Sequence, residues 1–399
     1  MAPRRILIFF SDTGGGHRAA ANALTEAFHF QFPTRYEISK VDGFKECAPF
    51  PLSQIPATYF PLTTYTPQLW GGLFHSSNSR LTLPPSAAMD DALLRRGCAR
   101  VIRQYKPDLV VSVHPLINRA PCNALKEWNP YIPFATVVTD LFDVHGMWFS
   151  AAADLVTVPT QGAFDCGVRW GFPPERMRVV GQPIALQFAP QFNASSAAQF
   201  AAQFPNQNAN QTAAPNEPPR ALRARLGLQT ETFTLLLVGG GEGMGPLRAI
   251  ARALDAAQLP IQLVIITGRN ESLRAQLEHD TWRGPVNVQG FVNNMPDWLR
   301  ASDVVITKAG PGTIMEALAA GKPLILSGNL PGQEEGNVTF VEQSGVGVLR
   351  TTPEAIVKQI RDWLAPGNHA IAQMQANACR VARPDAALEI VKLLDALIH

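Results

Sequence analysis

The sequence predicts an α/β protein made of two doubly wound, parallel-sheet domains. Three observations predict it. Short apolar runs alternate with stretches of helical period in both halves of the chain. Each half opens with a strand, a glycine-rich turn and a helix, the turns lying at 14–16 and 239–245. The chain of 399 residues is long for one hydrophobic core and comfortable for two.

The run 5–10 reads as a buried strand, and 18–30 as a helix with Ala20, Ala23, Leu24, Ala27 and Phe28 on one face. Residues 35–41 are the next strand. The alternation then breaks over 47–83, which is rich in Pro, Phe, Tyr and Trp and has no clean period. This segment reads either as a packed helix pair with proline-set ends or as a loop dipping into a bilayer interface, where aromatic rings prefer to lie. Arg80, Arg95, Arg96, Arg100 and Arg103 follow it. Such a face is either simply solvated or suited to anionic lipid headgroups. Strands are predicted at 109–113, 134–138, 155–158 and 177–180, with helices at 120–128 and 161–170.

Residues 187–219 are rich in Asn, Gln, Ala and Pro with almost no charge, and read as a mobile low-complexity linker or surface insertion. Its deletion is expected to leave activity within about threefold. The pattern restarts with strands at 234–238, 262–267, 286–289, 304–307 and 323–326. Helices are predicted at 247–257, 272–279, 296–301 and 314–320, and the last three at 353–364, 371–380 and 386–397.

Net charge of +2 gives no strong field, and no Lys/Arg block argues for nucleic acid. Five scattered cysteines without a C-x-x-C pair read as reduced thiols in a cytosolic protein, not a disulfide frame or zinc site. No run approaches the roughly eighteen apolar residues of a transmembrane helix. The start, MAPRRILIFFSD, is too short in apolar core for a signal peptide and reads as the first strand. The protein is expected to be soluble or to sit on a membrane without crossing it.

The stretch 307–337 carries the chemistry. Gly310, Pro311 and Gly312 join a strand to a helix, where bare N–H groups and the helix dipole suit a phosphate. Glu316 and the loop holding Gln333, Glu334, Glu335 and Asn337 suit a sugar and its hydroxyls. Thr313 and Glu316 also form a T-x-x-E capping box, which needs no ligand. His17 follows Gly15 and Gly16 at a helix start, where the dipole favours the neutral imidazole that accepts a proton. A structural histidine packed on the loop is the alternative. The same loop satisfies G-x-G-x-x-A through Gly14, Gly16 and Ala19, with Asp42 as a dinucleotide's ribose ligand; that motif alone is weak. Five glycines at 239–245 let backbone close on a diphosphate, and Arg269 either offsets its charge or makes a surface ion pair. Asp140, Asp143 and His145 fit no common metal spacing.

The motifs SDTGGGHRAAANAL, VTDL, GGGEGMGP, GFVNNM, TKAGPGTIMEAL and PGQEEGN, in this order, resemble the monogalactosyldiacylglycerol synthases within the MurG-like glycosyltransferases. The likeness spans nearly the whole chain outside about 187–220. It implies the GT-B fold, two Rossmann-like domains facing a cleft. Residues 1–186 would bind acceptor and membrane, 220–370 the nucleotide sugar, and the helices of 371–399 would pack back toward the first domain. It implies an inverting, metal-free transfer of galactose from UDP-galactose to the free hydroxyl of 1,2-diacylglycerol, by a cytoplasmic protein peripheral on the inner face of a membrane bearing anionic lipids.

By the same resemblance His17 is the base, and Asp140 either orients His17, assists the base or simply caps its strand end. Gly240 and Gly241 take the diphosphate with Arg269, Gly310, Gly312 and Thr313. Phe291 and Val292 read uracil, Glu316 the ribose, and Gln333, Glu334 and Asn337 the hexose. Gly15, Gly16, Trp148, Phe60 and Trp70 lie toward acceptor and membrane. UDP-glucose is the alternative donor. A polyprenyl acceptor, an epimerase, a dehydrogenase and an inactive sugar-nucleotide binder are more distant readings. The chain departs from the family's pattern at Ala185, where an Arg is usual, and in HGMWF, where HPTWF is usual.

Overall fold

Strands buried on both faces need helices over both faces, and a parallel pair needs a crossover to carry the chain back. A computed structural model describes residues 3–13, 15–192 and 217–398, the side chain of Phe60 excepted. It divides into two units, the first being Met1–Leu186, Leu330–Asn337 and Asp385–His399, the second Gln187–Asn329 and Val338–Pro384.

The first unit contains β1 (Arg4–Phe10), α1 (Gly16–Gln31), β2 (Tyr36–Asp42), α2 (Gly43–Cys47), α3 (Ile55–Tyr65), α4 (Pro67–Ser77) and α5 (Leu83–Tyr105). It continues through β3 (Leu109–Ser112), α6 (Arg119–Trp128), β4 (Phe134–Val137), β5 (Leu155–Val158), α7 (Gln161–Arg169) and β6 (Met177–Val179). Its sheet runs β2-β1-β3-β4-β5-β6, all parallel, with Ile6 facing Ile38 on one side and Leu109 on the other. The chain moves outward from β1 to β2 and then returns to β1's other side. The crevice at this reversal lies at the carboxyl ends of β1 and β3.

The second unit contains α8 (Pro219–Arg225), β7 (Phe233–Val238), α9 (Leu247–Ala256), β8 (Ile261–Ile266), α10 (Glu271–His279), β9 (Val286–Gln289) and α11 (Met295–Ala301). Next come β10 (Val304–Thr307), α12 (Pro311–Ala319), β11 (Leu324–Leu326), α13 (Glu335–Gln343), β12 (Gly347–Leu349), α14 (Pro353–Leu364) and α15 (Ala370–Val381), before α16 (Ala386–Asp395). The sheet order β12-β11-β10-β7-β8-β9 reverses between β7 and β10. The turns after those two strands are the glycine-rich ones.

Several expectations shift. The 47–83 segment is the helix pair, with Pro at the first turns of α3 and α4. Helix α13 begins at Glu335, so the polar loop is shorter than it reads, and β12 is a three-residue edge strand too short to show a period. The C-terminal division falls at Asp385 instead of 371, because Met374 of α15 is buried in the second unit's core. Helix α16 belongs to the first unit, held there by Arg35 and Tyr36, which both reach Asp395, and by Arg4, whose Nη1 donates to the Ile398 carbonyl at 2.8 Å. Within the predicted linker, residues 193–216 lie outside those described. Its margins are folded: Phe188, Ala189 and Phe192 are buried and α8 starts at Pro219. A deletion over 187–219 would therefore remove core contacts that the composition does not reveal.

Helix α5 can approach α2 closely because Gly97 has no side chain: a Cβ there would stand 2.0 Å from the Cys47 carbonyl oxygen. In an open helix Gly97→Ala would gain up to about 1 kcal/mol. Here the overlap with fixed backbone dominates, and we expect a net loss of about 1–3 kcal/mol. Urea unfolding of Gly97→Ala beside wild type measures the sign.

Candidate active site

At the first reversal, β1 leads through Thr13 and Gly15 into α1, and Gly15 takes φ 81° so that the helix can start sharply. Gly14 lies outside the described residues. His17, in the first turn, is buried. Its Nδ1 lies 2.7 Å from the Val113 carbonyl oxygen and 3.3 Å from Thr139 Oγ1. A carbonyl only accepts, so Nδ1 carries the hydrogen and Nε2 keeps its lone pair. Burial pushes the imidazole down to about 4, against the hydrogen bond to Val113, so the ring is neutral at physiological pH.

His114, at the end of β3, was not among the expected residues. Its ring centroid is 4.4 Å from that of His17. Its Nδ1 accepts from the Leu116 N–H, so Nε2 donates to Thr13 Oγ1 at 3.1 Å. Burial, then the neighbouring His17, hold His114 well below the usual imidazole range. Its position across the reversal from His17 was the available signal, but the sheet order has to be known to use it.

Asp140 does not orient His17. Its Oδ2 accepts the Trp148 indole N–H at 2.7 Å, while the Val113 carbonyl fixes the imidazole. Burial, against that hydrogen bond, raises the Asp140 carboxyl to about 6, with Glu334 adding to the rise. Trp148 itself is fully buried, not lipid-facing, because its N–H needs the carboxylate and its ring packs 6.1 Å from His17. Asn118 pins this loop by donating to the carbonyls of Met147 and Trp148. The other two members of the considered metal set are occupied: Asp143 binds Arg169, and His145 accepts from the Met147 N–H and meets Ser77. Asp42 is likewise committed, accepting the N–H groups of Asp12, Phe44 and Lys45, which removes it as a ribose ligand.

The loop of Gln333 to Asn337 belongs to the first unit up to Asn337. Tyr59 donates to Gln333 Oε1 at 3.1 Å, and Glu334 Oε2 accepts the Leu330 N–H at 2.9 Å. Asn337 is buried and accepts the Leu141 N–H at 3.1 Å, so it clamps the loop to the end of β4 and is no open sugar contact. Trp70 also turns inward, edge-to-face with Tyr59 at 5.2 Å, its indole nitrogen buried. The apolar face expected of this region is carried by others: Tyr65, Leu69, Leu73 and Leu81 are exposed by 79%, 57%, 52% and 88%. Phe60 lies on α3, but its side chain is outside those described.

At the second reversal the turn after β7 holds Gly240 and Gly243 at φ 69° and 62°, closed by Met244 N–H to the Gly239 carbonyl. The Arg269 N–H donates to the Gly241 carbonyl. The Arg269 guanidinium pairs with Glu242 at 2.6 Å and lies 4.8 Å over the Phe291 ring. Phe291 is 54% exposed, an open aromatic platform rather than core, with Val292 half-buried beside it. Lys308, unremarked in the sequence, lies alongside Gly240, its Cε 3.9 Å from where a Cβ would stand.

The capping-box reading of Thr313 fails. Gly310 is the N-cap of α12 and Pro311 its first residue, so Thr313 sits in the third position and no side chain caps the helix. The N–H groups of Gly312 and Thr313 are left without a side-chain cap. Glu316, one turn on, is raised to about 7 by burial, and no hydrogen bond or ion pair to its carboxylate occurs among the described residues. Among those residues no group of three or more His, Cys, Asp or Glu could hold a metal ion, and no helix is long and apolar enough to cross a membrane.

Two parallel sheets with this reversal, an uncapped helix and two glycine turns define the GT-B fold. Solved structures share it at fold level. The chain aligns with MurG of Acinetobacter baumannii at a TM-score of 0.58 and 16% identity, covering 99% of this chain and 100% of that one. It aligns with UDP-GlcNAc 2-epimerase of Neisseria meningitidis bound to UDP-GlcNAc at 0.58 and 13%, covering 98% and 100%. The monogalactosyldiacylglycerol (MGDG) synthase family model matches residues 17–184, and the glycosyltransferase family 28 C-terminal domain matches 234–390. Over 407 residues the chain is 35% identical to the chloroplastic monogalactosyldiacylglycerol synthase of Spinacia oleracea, spanning 100% of this chain and 73% of that protein. Against synthase 1 of Arabidopsis thaliana the figures are 34%, 100% and 72%. The chain belongs to the monogalactosyldiacylglycerol synthase family.

Asp140 gives a stability prediction. A carboxyl raised from 3.8 to about 6 is favoured protonated in the fold, so its ionisation costs stability as pH rises through that window. Asp140→Asn should be more stable than wild type by about 2–3 kcal/mol above pH 6 and equal to it below pH 4. Urea unfolding across that range checks both limits.

Proposed function

We propose that this protein transfers galactose from UDP-galactose to the free hydroxyl of 1,2-diacylglycerol, with inversion, at a membrane surface. The observation that carries the reading is the neutral His17, its Nδ1–H given to Val113 and its Nε2 lone pair uncommitted. Nε2 takes the acceptor hydroxyl's proton as that oxygen attacks the anomeric carbon. The bond from that carbon to the diphosphate oxygen breaks, and UDP leaves from the opposite face. Val113 and Thr139 hold the ring while it is positively charged.

Charge on the departing diphosphate is met by the N–H groups of Gly312 and Thr313, by the α12 dipole and by Lys308. Arg269 serves instead as a stacking base for Phe291 at the uracil. Glu316 receives the ribose hydroxyls, which supply the hydrogen bonds that its carboxylate lacks. Gln333 and Glu334 meet the hexose. We take donor chemistry to proceed without a metal, since helix dipole and backbone donors stand where a cation would act. The exposed side chains of Tyr65, Leu69, Leu73 and Leu81, together with the exposed Arg96 and Arg103 of α5, suit a peripheral seat on anionic lipid.

Purified protein given diacylglycerol vesicles and UDP-galactose should form a galactolipid, and His17→Ala should slow it by roughly a hundredfold or more. UDP-glucose as the preferred donor would change the sugar and keep the mechanism. A fully active His17→Ala would remove His17 from the chemistry.

A further inference from the structure

The aromatic helix pair has a role that its exposed residues do not explain. Tyr59 of α3 and Trp70 of α4 meet edge-to-face, with centroids 5.2 Å apart and planes at 86°. Helix α4 sits tightly on the sugar loop: a Cβ on Gly71 would stand 2.7 Å from Pro331, and one on Gly332 2.7 Å from Phe74. The loop backbone is fixed by its own carboxylates, Glu334 on Leu330 and Glu335 on the Gly332 N–H at 3.0 Å. The Gln333 side chain is held differently. Its Oε1 accepts from the Tyr59 hydroxyl at 3.1 Å, and among the described residues no other hydrogen bond reaches its amide.

An amide presents an acceptor on one side and two donors on the other, and a half-turn exchanges them. Burial, then the carboxylates of Glu334 and Asp140, push the Tyr59 phenol well above its ordinary range. The phenol therefore keeps its proton and donates it. With Oε1 engaged, the Nε2 donors face away from Tyr59.

Resting on the reading that Gln333 meets the hexose, we propose that Tyr59 is a positioning residue: its hydroxyl fixes the Gln333 amide so that the sugar meets N–H donors only, which sharpens the choice between donors differing at one hydroxyl. Trp70 braces the Tyr59 ring. Without the hydroxyl the amide turns freely, and either face meets either sugar.

The test compares kcat/KM for UDP-galactose and UDP-glucose with diacylglycerol vesicles in wild type, Tyr59→Phe, Gln333→Leu and the double variant. Tyr59→Phe should lower kcat/KM for the better donor by roughly tenfold, the worth of one hydrogen bond, mainly through KM, and bring the two donors closer together. It should cost nothing further once Gln333 is Leu, because the effect runs through that side chain. Gln333→Glu, which replaces the donors by an acceptor, should lose as much as Gln333→Leu. An unchanged KM and donor ratio in Tyr59→Phe, a loss that adds in full to that of Gln333→Leu, or a fully active Gln333→Glu would each overturn the inference while leaving the transferase reading intact. A wild type that makes no glycolipid from either donor would overturn the reading and the inference together.

Discussion

A parallel strand ends at the edge of the sheet opposite to the one where its successor begins, so every strand must be followed by a crossover. In each unit the crossovers run outward from the first strand and then reverse to its other side, leaving adjacent strands whose following loops diverge. His17 and His114 stand on the two diverging loops of the first sheet, and the glycine turn and α12 on those of the second. The hydrogen bond from His17 to Val113 spans the first divergence and, by engaging Nδ1, decides which nitrogen is left to act as a base.

Most of the buried polar groups around that bond are paired. Thr13, His114, Asp140, Trp148 and Asn118 each have partners, as burial demands. The resulting network is rigid, and holds the imidazole without a carboxylate beside Nδ1. Glu316 belongs to the second unit and differs. Its carboxylate is enclosed enough to be raised to about 7 and yet has no partner among the described residues.

The helix pair α3–α4 shows how one segment can serve two solvents. Its outer side chains Tyr65, Leu69 and Leu73 are exposed, while Tyr59, Trp70 and Phe74 turn inward against the loop of Gln333. Proline at both helix starts supplies the sharp entries that let two short helices divide their rings in this way.

Much was legible in the sequence because it depends on local pattern. The β1 and β7 runs, the glycine turns and His17 beside Gly15 can be read from neighbours alone, since strand burial, positive φ and helix starts are local properties. What the tertiary structure decided were partners distant along the chain. Thr313 and Glu316 have the spacing of a capping box, but Pro311 starts the helix two residues earlier and leaves both side chains for other use. Asp140 and Trp148 read as an assistant base and a lipid contact, and are bound to each other, the buried indole N–H donating to the carboxylate. Tyr59 carries no signal at all until α3 is laid against a loop 274 residues away. Chain sequence fixes which groups exist and which local shapes they favour; only the fold determines which of them must satisfy one another out of water.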